Sequence, residues 1–305
     1  MKIVSRPDTE NHRRIAAIGM FDGVHKGHLT LIGYLMRQGE RLGLVPTVVT
    51  FLNHPLKVVN PNLAPKRLTS NARRVELLAR AGIRDVVMLD FNENLRGMSA
   101  EQFLGQLKRD YGVDALVVGF NNRFGKGRVD GIDQYKVIGD KLGMRILEAP
   151  EMRMDNGNKV SSSQIRTLLV NGDVTKAAHM LGYAYAFQAK VIAGQQVGRT
   201  LGFPTANLQL MDCEMQIPGT GVYVVDVEMP DGLKRRGVLN IGSRPTVVNN
   251  GNTSIEVHIL DYDGWLYDDV LGVEFLTRLR DEKHFAGLDR LKRQIAADVT
   301  KARKV

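Results

Sequence analysis

Hydrophobic residues follow two different periods along this chain. In the first half, short apolar runs alternate with segments in which apolar residues recur every three to four positions. The runs cover residues 15–19, 45–51, 86–89, 115–119 and 145–149, and the helical patterns cover residues 29–42, 71–81, 100–111 and 132–142. This alternation predicts β-α-β units that form a Rossmann-like parallel sheet with helices on both faces.

The pattern changes near residue 183. Period-two runs separated by Gly, Pro, Asn and Asp predict strands over residues 188–193, 221–228, 234–241, 254–260 and 270–276. They indicate a compact β-barrel or sandwich, against which a final helix over residues 288–302 would pack. Two short helical patterns, at residues 162–170 and 174–181, come just before the change. We therefore predict one domain over residues 1–183 and a second over residues 184–305.

Composition narrows the class of protein. A chain of 305 residues is long enough for two domains, and its formal net charge of +9 predicts an anionic partner. Charge alone does not separate nucleotides from nucleic acid. The single cysteine, Cys213, excludes an intramolecular disulfide and fits a cytoplasmic setting. No apolar run reaches the roughly 18 residues of a membrane span, so we expect no membrane partner.

Residues 19–28 read G-M-F-D-G-V-H-K-G-H, at the point where the first apolar run stops and a helical pattern begins. Ligands of open parallel sheets bind at this end of the strands. Backbone N–H groups at the helix start favour an anion, and Gly23 and Gly27 allow its close approach. His25 and His28 are three residues apart, so both imidazoles can face one phosphate and stabilise charge that develops there.

Three alternatives to a phosphate site remain open for this stretch. It could be a glycine-rich turn with two surface histidines. A zinc site is a second alternative, although H-x-x-H lacks a neighbouring carboxylate or cysteine ligand. A dinucleotide site is a third, although the G-x-G-x-x-G spacing is absent.

The same stretch resembles the G-x-F-D-G-V-H-x-G-H signature of the bifunctional riboflavin kinase/FMN adenylyltransferases, the FAD synthetases. Further matches continue in the family's order to about residue 303. The resemblance implies a nucleotidyltransferase domain in the first half, with His25 and His28 as catalytic residues. It also implies that Gly19, Phe21 and Gly27 bind ATP.

Other loops of the first half match the same family. Residues 50–55, T-F-L-N-H-P, resemble T-F-x-P-H-P, and residues 119–125, G-F-N-N-R-F-G, resemble G-x-[DN]-F-x-[FY]-G. Residues 160–166, V-S-S-S-Q-I-R, resemble V-S-S-T-x-I-R. The resemblance implies flavin binding by His54, Pro55 and Asn121, and ATP phosphate binding by Ser162, Ser163 and Arg166. A loop or capping role explains His54 equally well, and helix capping explains the serines.

In the second half, residues 194–207 read G-Q-Q-V-G-R-T-L-G-F-P-T-A-N and resemble the riboflavin kinase signature G-x-x-x-G-R-x-L-G-F-P-T-A-N. A Walker A loop is excluded because the glycine spacing is one residue short and arginine replaces lysine. The resemblance implies that ATP phosphates are bound by Gly194, Gly198, Arg199 and Gly202. Thr205 and Asn207 alternate on an extended segment and offer two neutral oxygens to Mg²⁺. A simple β-turn is the alternative for P-T-A-N.

Two later segments complete the resemblance. Glu256 alternates with apolar residues in I-E-V-H-I, where a solvent-facing charge is the simplest explanation. The family's E-x-H strand places its proposed catalytic base there. Residues 279–285, L-R-D-E-K-H-F, match a family segment near the flavin pocket, which implies flavin binding by Arg280 and Glu282.

The chain departs from the family pattern at several positions. Met20 replaces the usual Asn, Asn53 replaces Pro, Lys57 replaces a common Arg, Asn122 replaces an aromatic residue, and Asp268 replaces Gly.

The resulting prediction is a two-headed enzyme. Its C-terminal barrel would phosphorylate riboflavin to FMN, and its N-terminal α/β domain would convert FMN and ATP to FAD and pyrophosphate, with Mg²⁺ at both steps. One alternative is a riboflavin kinase whose adenylyltransferase is degenerate. Another is a basic nucleic-acid-binding protein with a nucleotide-sensing domain, although aromatic residues make up only 6% of the chain. We expect small-molecule substrates and no nucleic-acid partner.

Overall fold

The computed structural model describes residues 2–4, 12–119, 124–125, 131–150, 160–194, 198, 201–243 and 253–305. The chain divides into two compact units. The first comprises residues 1–65 and 71–161, and the second comprises residues 66–70 and 162–305. The short helices that precede residue 183 therefore group with the second unit. A domain boundary between residues 183 and 184 stays a prediction.

The first unit contains a six-stranded sheet in the order β1-β4-β3-β2-β5-β6, and every neighbouring pair is parallel. Its strands are β1 Lys2–Val4, β2 Arg14–Ile18, β3 Val45–Phe51, β4 Asp85–Leu89, β5 Val113–Val118 and β6 Arg145–Glu148. The predicted parallel sheet is confirmed. The sequence pattern did not reveal β1, which has only three residues.

The helices of the first unit connect its strands. They are α1 Lys26–Leu42, α2 Leu56–Val59, α3 Asn71–Arg80, α4 Glu93–Gly97, α5 Ala100–Tyr111 and α6 Ile132–Leu142. Helix α5 opens with a capping box, in which the Ser99 hydroxyl accepts the Gln102 N–H and the Gln102 side chain accepts the Ser99 N–H. At the start of β2, the buried Arg14 pairs with Asp85 at 2.8 Å. This pair lies at the opposite end of β2 from Gly19.

The second unit is a closed barrel with the strand order β10-β11-β8-β7-β12-β9, so a sandwich is excluded. Its strands are β7 Ala186–Ile192, β8 Ala206–Leu210, β9 Gly221–Glu228, β10 Lys234–Ser243, β11 Thr253–Ile259 and β12 Val270–Arg280. Its helices are α7 Ser162–Val170, α8 Val174–Leu181 and the terminal α9 Leu288–Ala302. Helix α9 packs on the outer face of β9 and β10, where Ala302 and Val299 meet Val222, Val224 and Val238.

In the described part of the chain, no helix has both the length and the apolar content to cross a membrane.

Asp268 occupies a turn that favours glycine. Its φ is 69°, its N–H donates to the carbonyl of Val191, and its carboxylate lies 2.8 Å from Lys190 Nζ. The family's glycine suits this conformation because it has no Cβ, and aspartate is one of the few other residues that tolerate it.

We expect the free energy of unfolding to depend on the residue at 268. Asp268→Ala retains the left-handed strain and loses the ion pair, so it lowers stability by about 1 kcal/mol. Asp268→Gly relieves the strain, which offsets the lost pair. Urea unfolding of both variants measures the difference. An alanine variant as stable as the glycine variant would contradict this explanation.

Candidate active sites

The loop after β2 is tightly packed. Phe21, Asp22, Val24 and His25 are all buried. Phe21 and Val24 have positive φ values of 48° and 35°, which non-glycine residues rarely adopt. Strained backbone of this kind persists where the surrounding structure determines it, often at a functional site. The loop therefore presents the start of α1 in a fixed geometry.

The two histidines of this loop contact each other. Their rings stack with centroids 3.7 Å apart and planes inclined by 13°. His25 is the N-cap of α1, and its Nδ1 accepts the backbone N–H of His28 at 3.3 Å. A Cβ at Gly27 would lie 3.1 Å from the His25 ring and 3.2 Å from the Val160 carbonyl oxygen. Glycine at this position thus lets the chain pass closely behind the His25 imidazole.

His28 is held in its neutral form. Burial, and second the charge of His25, place the pKa of His28 well below its ordinary value. Its Nδ1 is buried and has no protein hydrogen-bond partner within the described residues. Buried polar atoms are nearly always bonded to something. Among the described residues, this atom lacks the partner that a buried ring nitrogen usually has.

The pKa of His28 makes stability depend on pH in a defined direction. The ring titrates near 6.5 in the unfolded chain and lower in the folded one, so below that pH the unfolded chain binds a proton that the folded chain excludes. The free energy of unfolding therefore falls as the pH drops through this range.

We expect His28→Gln to weaken that dependence, because glutamine does not titrate. Urea titrations of both proteins at several pH values between 7 and 5 measure the difference. If the two curves of unfolding free energy against pH run parallel, His28 is not a group that titrates on unfolding.

A buried arginine that the sequence analysis missed supports this loop. Arg74 of α3 is 1% exposed, and its guanidinium donates to the carbonyl of Met20 at 3.0 Å and to that of Phe51 at 2.6 Å. The Thr50 hydroxyl also donates to the Met20 carbonyl. Arg74 thereby ties the loop after β2 to the end of β3. In the sequence, it is one of two adjacent arginines in an ordinary amphipathic helix, which gave no signal.

Asn53 has a structural role that differs from that of the family's proline. Its side-chain amide donates to the carbonyl of Phe91 at 2.8 Å and accepts the N–H of Phe91 at 2.9 Å. This joins the loop after β3 to the loop after β4. The neighbouring His54 accepts the N–H of Leu56 at 3.1 Å, as a capping residue does. Flavin binding by His54 and Pro55 stays a prediction.

The loop after β5 is described only in part. Asn121 and Asn122 lie outside the described residues, so the flavin contact of Asn121 stays a prediction. Farther along, Phe124 stacks on Tyr135 with ring centroids 4.4 Å apart. A Cβ at Gly125 would lie 2.5 Å from the backbone nitrogen of Ala100. Gly125, within this loop, is therefore packed against the start of α5.

The V-S-S-S-Q-I-R segment leads into α7, which begins at Ser162 and contains Ser163 and Arg166. These three residues belong to the second unit. The Arg166 guanidinium donates to the carbonyl of Lys66, in the short segment that groups with this unit, at 2.6 Å. The predicted phosphate contacts of Ser162, Ser163 and Arg166 remain a prediction.

The barrel aligns three polar residues. Glu256 on β11 pairs directly with Asn207 on β8 and with Asn240 on β10. Directly opposite residues of paired strands share one face of the sheet. Asn240 also pairs with Val222, which packs under α9 on the outer face. The three side chains therefore project from the outside of the barrel, and Glu256 and Asn240 line a cavity next to the terminal helix.

Two glycines of the signature contact the predicted metal ligands. A Cβ at Gly194 would lie 1.9 Å from the Asn207 amide nitrogen, and one at Gly198 would lie 2.4 Å from the Phe203 carbonyl oxygen and 3.1 Å from Thr205 Oγ1. A side chain at either position would overlap these atoms, so steric crowding explains why both positions are glycine. Gly202 has a φ of 83°. Arg199 lies outside the described residues.

Two cavities meet at Thr205. The helix cavity, of about 470 Å³, lies between the barrel and α9, and the aromatic cavity, of about 170 Å³, lies on the other side of Thr205. Residues that line the helix cavity include Val222, Val238, Glu256, Arg280, Leu291 and Ile295. Residues that line the aromatic cavity include Asn207, Tyr262, Trp265 and Tyr267. The sequence did not predict these three aromatic residues as site residues, because their spacing follows no functional motif.

Arg280 and Glu282 both line the helix cavity. The Arg280 guanidinium donates to one oxygen of Asp298 through Nε at 2.9 Å and Nη2 at 2.8 Å, and the Gln294 amide donates to the other oxygen at 2.9 Å. Asp298 of α9 is 1% exposed. A Cβ at Gly242 would lie 2.3 Å from a Glu282 carboxylate oxygen. Asp298 therefore fixes Arg280 at the cavity, a role that the sequence analysis missed.

Comparison with known proteins agrees with this geometry. The FAD synthetase family matches residues 8–164, and the riboflavin kinase family matches residues 181–305. The bifunctional riboflavin kinase/FMN adenylyltransferase of Pseudomonas fluorescens is 40% identical, over 96% of this chain and 93% of that protein. The chain belongs to this bifunctional family. The enzyme of the same name from Bacillus subtilis is 36% identical, over 96% of this chain and 92% of that protein.

A solved structure covers the chain from end to end. A crystal structure described as a macrolide-efflux protein from Streptococcus pneumoniae aligns with a TM-score of 0.90 and 29% identity, over 100% of this chain and 99% of that one. Both family matches are to flavin enzymes. This member of the bifunctional family is thus an enzyme of FAD biosynthesis whose substrates are flavins and ATP, and the prediction of two activities, riboflavin phosphorylation and FMN adenylylation, is confirmed.

Proposed function

We propose that the barrel phosphorylates riboflavin with Glu256 as general base, and that the first unit adenylylates FMN with His25 and His28 stabilising the transition state. The observation that carries this proposal is the alignment of Glu256 with Asn207, where two cavities meet at Thr205. The larger cavity can hold the flavin and the smaller one the adenine ring of ATP, with the reacting atoms at the junction.

The helix cavity suits the flavin. Its volume lies within the usual range of small-molecule sites, and apolar residues of β9, β10 and α9 form one wall. Polar groups converge at its other side, where Glu256 lies. With the ring system against the apolar wall, the terminal ribityl hydroxyl would reach Glu256, which accepts its proton as the oxygen attacks the γ-phosphorus of ATP. The new O–P bond replaces the bond to ADP, which leaves.

The aromatic cavity, which is the smaller one, suits the adenine ring of ATP. Trp265 and Tyr267 meet edge to face with centroids 4.9 Å apart, and Trp265 is 70% exposed, so its ring is available to a purine. The phosphates would then extend past Asn207 and Thr205 toward the glycine turns at Gly194, Gly198 and Gly202. Arg199 belongs to the same predicted set.

The donor set also fits Mg²⁺. Thr205 and Asn207 provide two neutral oxygens, and Mg²⁺ in phosphoryl-transfer sites typically takes few protein ligands besides substrate phosphates. Within the described residues, no cluster of three or more His, Cys, Asp or Glu side chains could hold a metal by itself. When bound, Mg²⁺ would offset the phosphate charge. Thr205 and Asn207 would hold it and orient the ATP.

In the first unit, a phosphate oxygen of FMN would attack the α-phosphorus of ATP, and pyrophosphate would leave. The His25 and His28 imidazoles, with Gly19, Phe21 and Gly27 around them, would hold the phosphoryl group at the start of α1, where backbone N–H groups favour negative charge. His54, Pro55 and Asn121 would contact the flavin.

We also place the enzyme in the cytoplasm. The single cysteine, Cys213, is free and exposed, which suits a reducing compartment. We expect its partners to be its small-molecule substrates, with no nucleic-acid or membrane partner.

One incubation tests the proposed function. Purified protein receives riboflavin, ATP and Mg²⁺, and chromatography follows riboflavin, FMN and FAD over time. We expect FMN first and FAD after it, and no product when Mg²⁺ is removed by a chelator. FMN without FAD would exclude the first unit as an adenylyltransferase, and unchanged riboflavin would contradict the proposal for the barrel.

A further inference from the structure

We propose that His258 is a positioning residue, which orients the peptide between Pro204 and Thr205 through its ring Nδ1. This inference rests on the proposed function of Thr205. His258 follows Glu256 by two residues on β11 and lines the same cavity. Its Nδ1 lies 2.8 Å from the carbonyl oxygen of Pro204. The Phe203 ring meets its edge at a centroid distance of 5.5 Å and an angle of 88°.

The direction of this hydrogen bond fixes the tautomer of His258. A carbonyl oxygen only accepts, so Nδ1 must carry the hydrogen. Proline has no N–H, so the carbonyl is the only backbone hydrogen-bonding group that Pro204 has. The orientation of the peptide plane that leads into Thr205 therefore depends on His258.

The strand register explains why a side chain is needed here. Strands β8 and β11 pair at only two positions, Asn207 with Glu256 and Ala206 with Val257. Continuing that antiparallel register would place Thr205 opposite His258, where the ladder stops. The bond from the His258 ring to Pro204 thus continues the attachment of this segment to β11 beyond the last backbone pair. Thr205, which borders both cavities, lies between these two attachments.

The geometry predicts which substrate should be affected. His258 acts on Thr205 through the backbone, and Thr205 is the residue assigned to Mg²⁺ and ATP. Losing the hydrogen bond should therefore weaken nucleotide binding more than flavin binding. Substitution of a residue that contacts the flavin directly would instead weaken flavin binding more than nucleotide binding.

Three substitutions test this inference in the full-length protein. The amide nitrogen of Asn can take the place of Nδ1, so His258→Asn retains the bond. The amide of Gln instead reaches the position of Nε2, and Ala has no donor, so His258→Gln and His258→Ala lose it. We expect the last two to raise the Kd for ADP with Mg²⁺ about three- to ten-fold, as loss of one hydrogen bond does, while the KM for riboflavin changes less.

ADP binding can be measured without catalytic turnover. Trp265 is the only tryptophan of the chain and lines the aromatic cavity, so its fluorescence should report ADP binding to the barrel at fixed Mg²⁺. FMN adenylylation with supplied FMN provides an internal control, because His258 belongs to the other unit. If the Ala variant fails to fold, the Asn and Gln pair still gives the comparison.

The outcomes separate this inference from the proposed function. Equal ADP affinity in the Asn and Gln variants would overturn the role of Nδ1. A raised riboflavin KM with unchanged ADP affinity would overturn it too, since His258 would then act on the flavin. A wild-type protein that phosphorylates no riboflavin would instead contradict the proposed function.

Discussion

Replacing Glu256 with Gln is expected to lower kcat for riboflavin phosphorylation by about 10²- to 10⁴-fold, the usual contribution of a general base. Glutamine has the same shape, so the strand pairing of this residue with Asn207 and Asn240 is retained. What is lost is the ability to accept the proton of the ribityl hydroxyl. The KM for ATP should change little, because Thr205 and the glycine turns are unaltered.

The matched control for this variant is Glu228→Gln. Glu228 ends β9 on the same barrel, but it is exposed and borders neither cavity. We expect wild-type kinase activity from it, and both variants should convert supplied FMN to FAD at the wild-type rate. Riboflavin phosphorylation is measured by chromatography in steady state. A Glu256→Gln variant with more than a tenth of the wild-type kcat would show that positioning and phosphate stabilisation carry the reaction without this base.

Much of the fold was predictable because hydrophobic periodicity encodes it directly. The helical pattern over residues 132–142 corresponds to α6, and the alternating pattern over residues 221–228 corresponds to β9. The barrel order was not predictable from the pattern, which left a sandwich open. Closure depends on which strands pair, and β12 pairs with both β7 and β9 through residues far apart in sequence.

The candidate sites were predictable where chemistry is carried by a local motif. The residues from Gly19 to His28 are adjacent in sequence, so their convergence at one helix start follows from local structure. Arg74, Asp298 and Trp265 were missed for the opposite reason. Arg74 and Asp298 bond to residues that only the tertiary fold brings near, and Trp265 lines a cavity that only the fold creates. Each of the three has an ordinary sequence context. The pairing of Glu256 with Asn207 likewise required the register of β8 and β11.

The departures from the family pattern also show the limit of prediction from sequence alone. Asn53 replaces a proline, yet its amide forms two hydrogen bonds with Phe91 that proline could not form. Asp268 replaces a glycine and retains the positive φ that a glycine would favour. A residue that breaks a motif can therefore preserve the structure by a different interaction. Only the structure shows which interaction replaces the original one.

His25 is expected to contribute to adenylyl transfer in addition to capping α1, and two substitutions separate these roles. Asn is a good N-cap, so His25→Asn retains an acceptor for the His28 N–H, whereas His25→Ala does not. Both variants lose the imidazole. We expect both to lower kcat for FMN adenylylation by about 10²- to 10³-fold, as removal of one preorganised donor does in other enzymes.

Stability distinguishes the same two variants. His25→Ala should lower the free energy of unfolding by about 1 kcal/mol, the usual effect of losing an N-cap, and His25→Asn should stay close to wild type. Riboflavin phosphorylation by the barrel should be unaffected in both and confirms that each protein is folded. Nδ1 of His25 is engaged with the His28 backbone, so a phosphate oxygen would be met by Nε2. If His25→Asn adenylylates FMN at the wild-type rate, His25 is a structural cap, and transition-state stabilisation falls to His28 and the backbone N–H groups of α1.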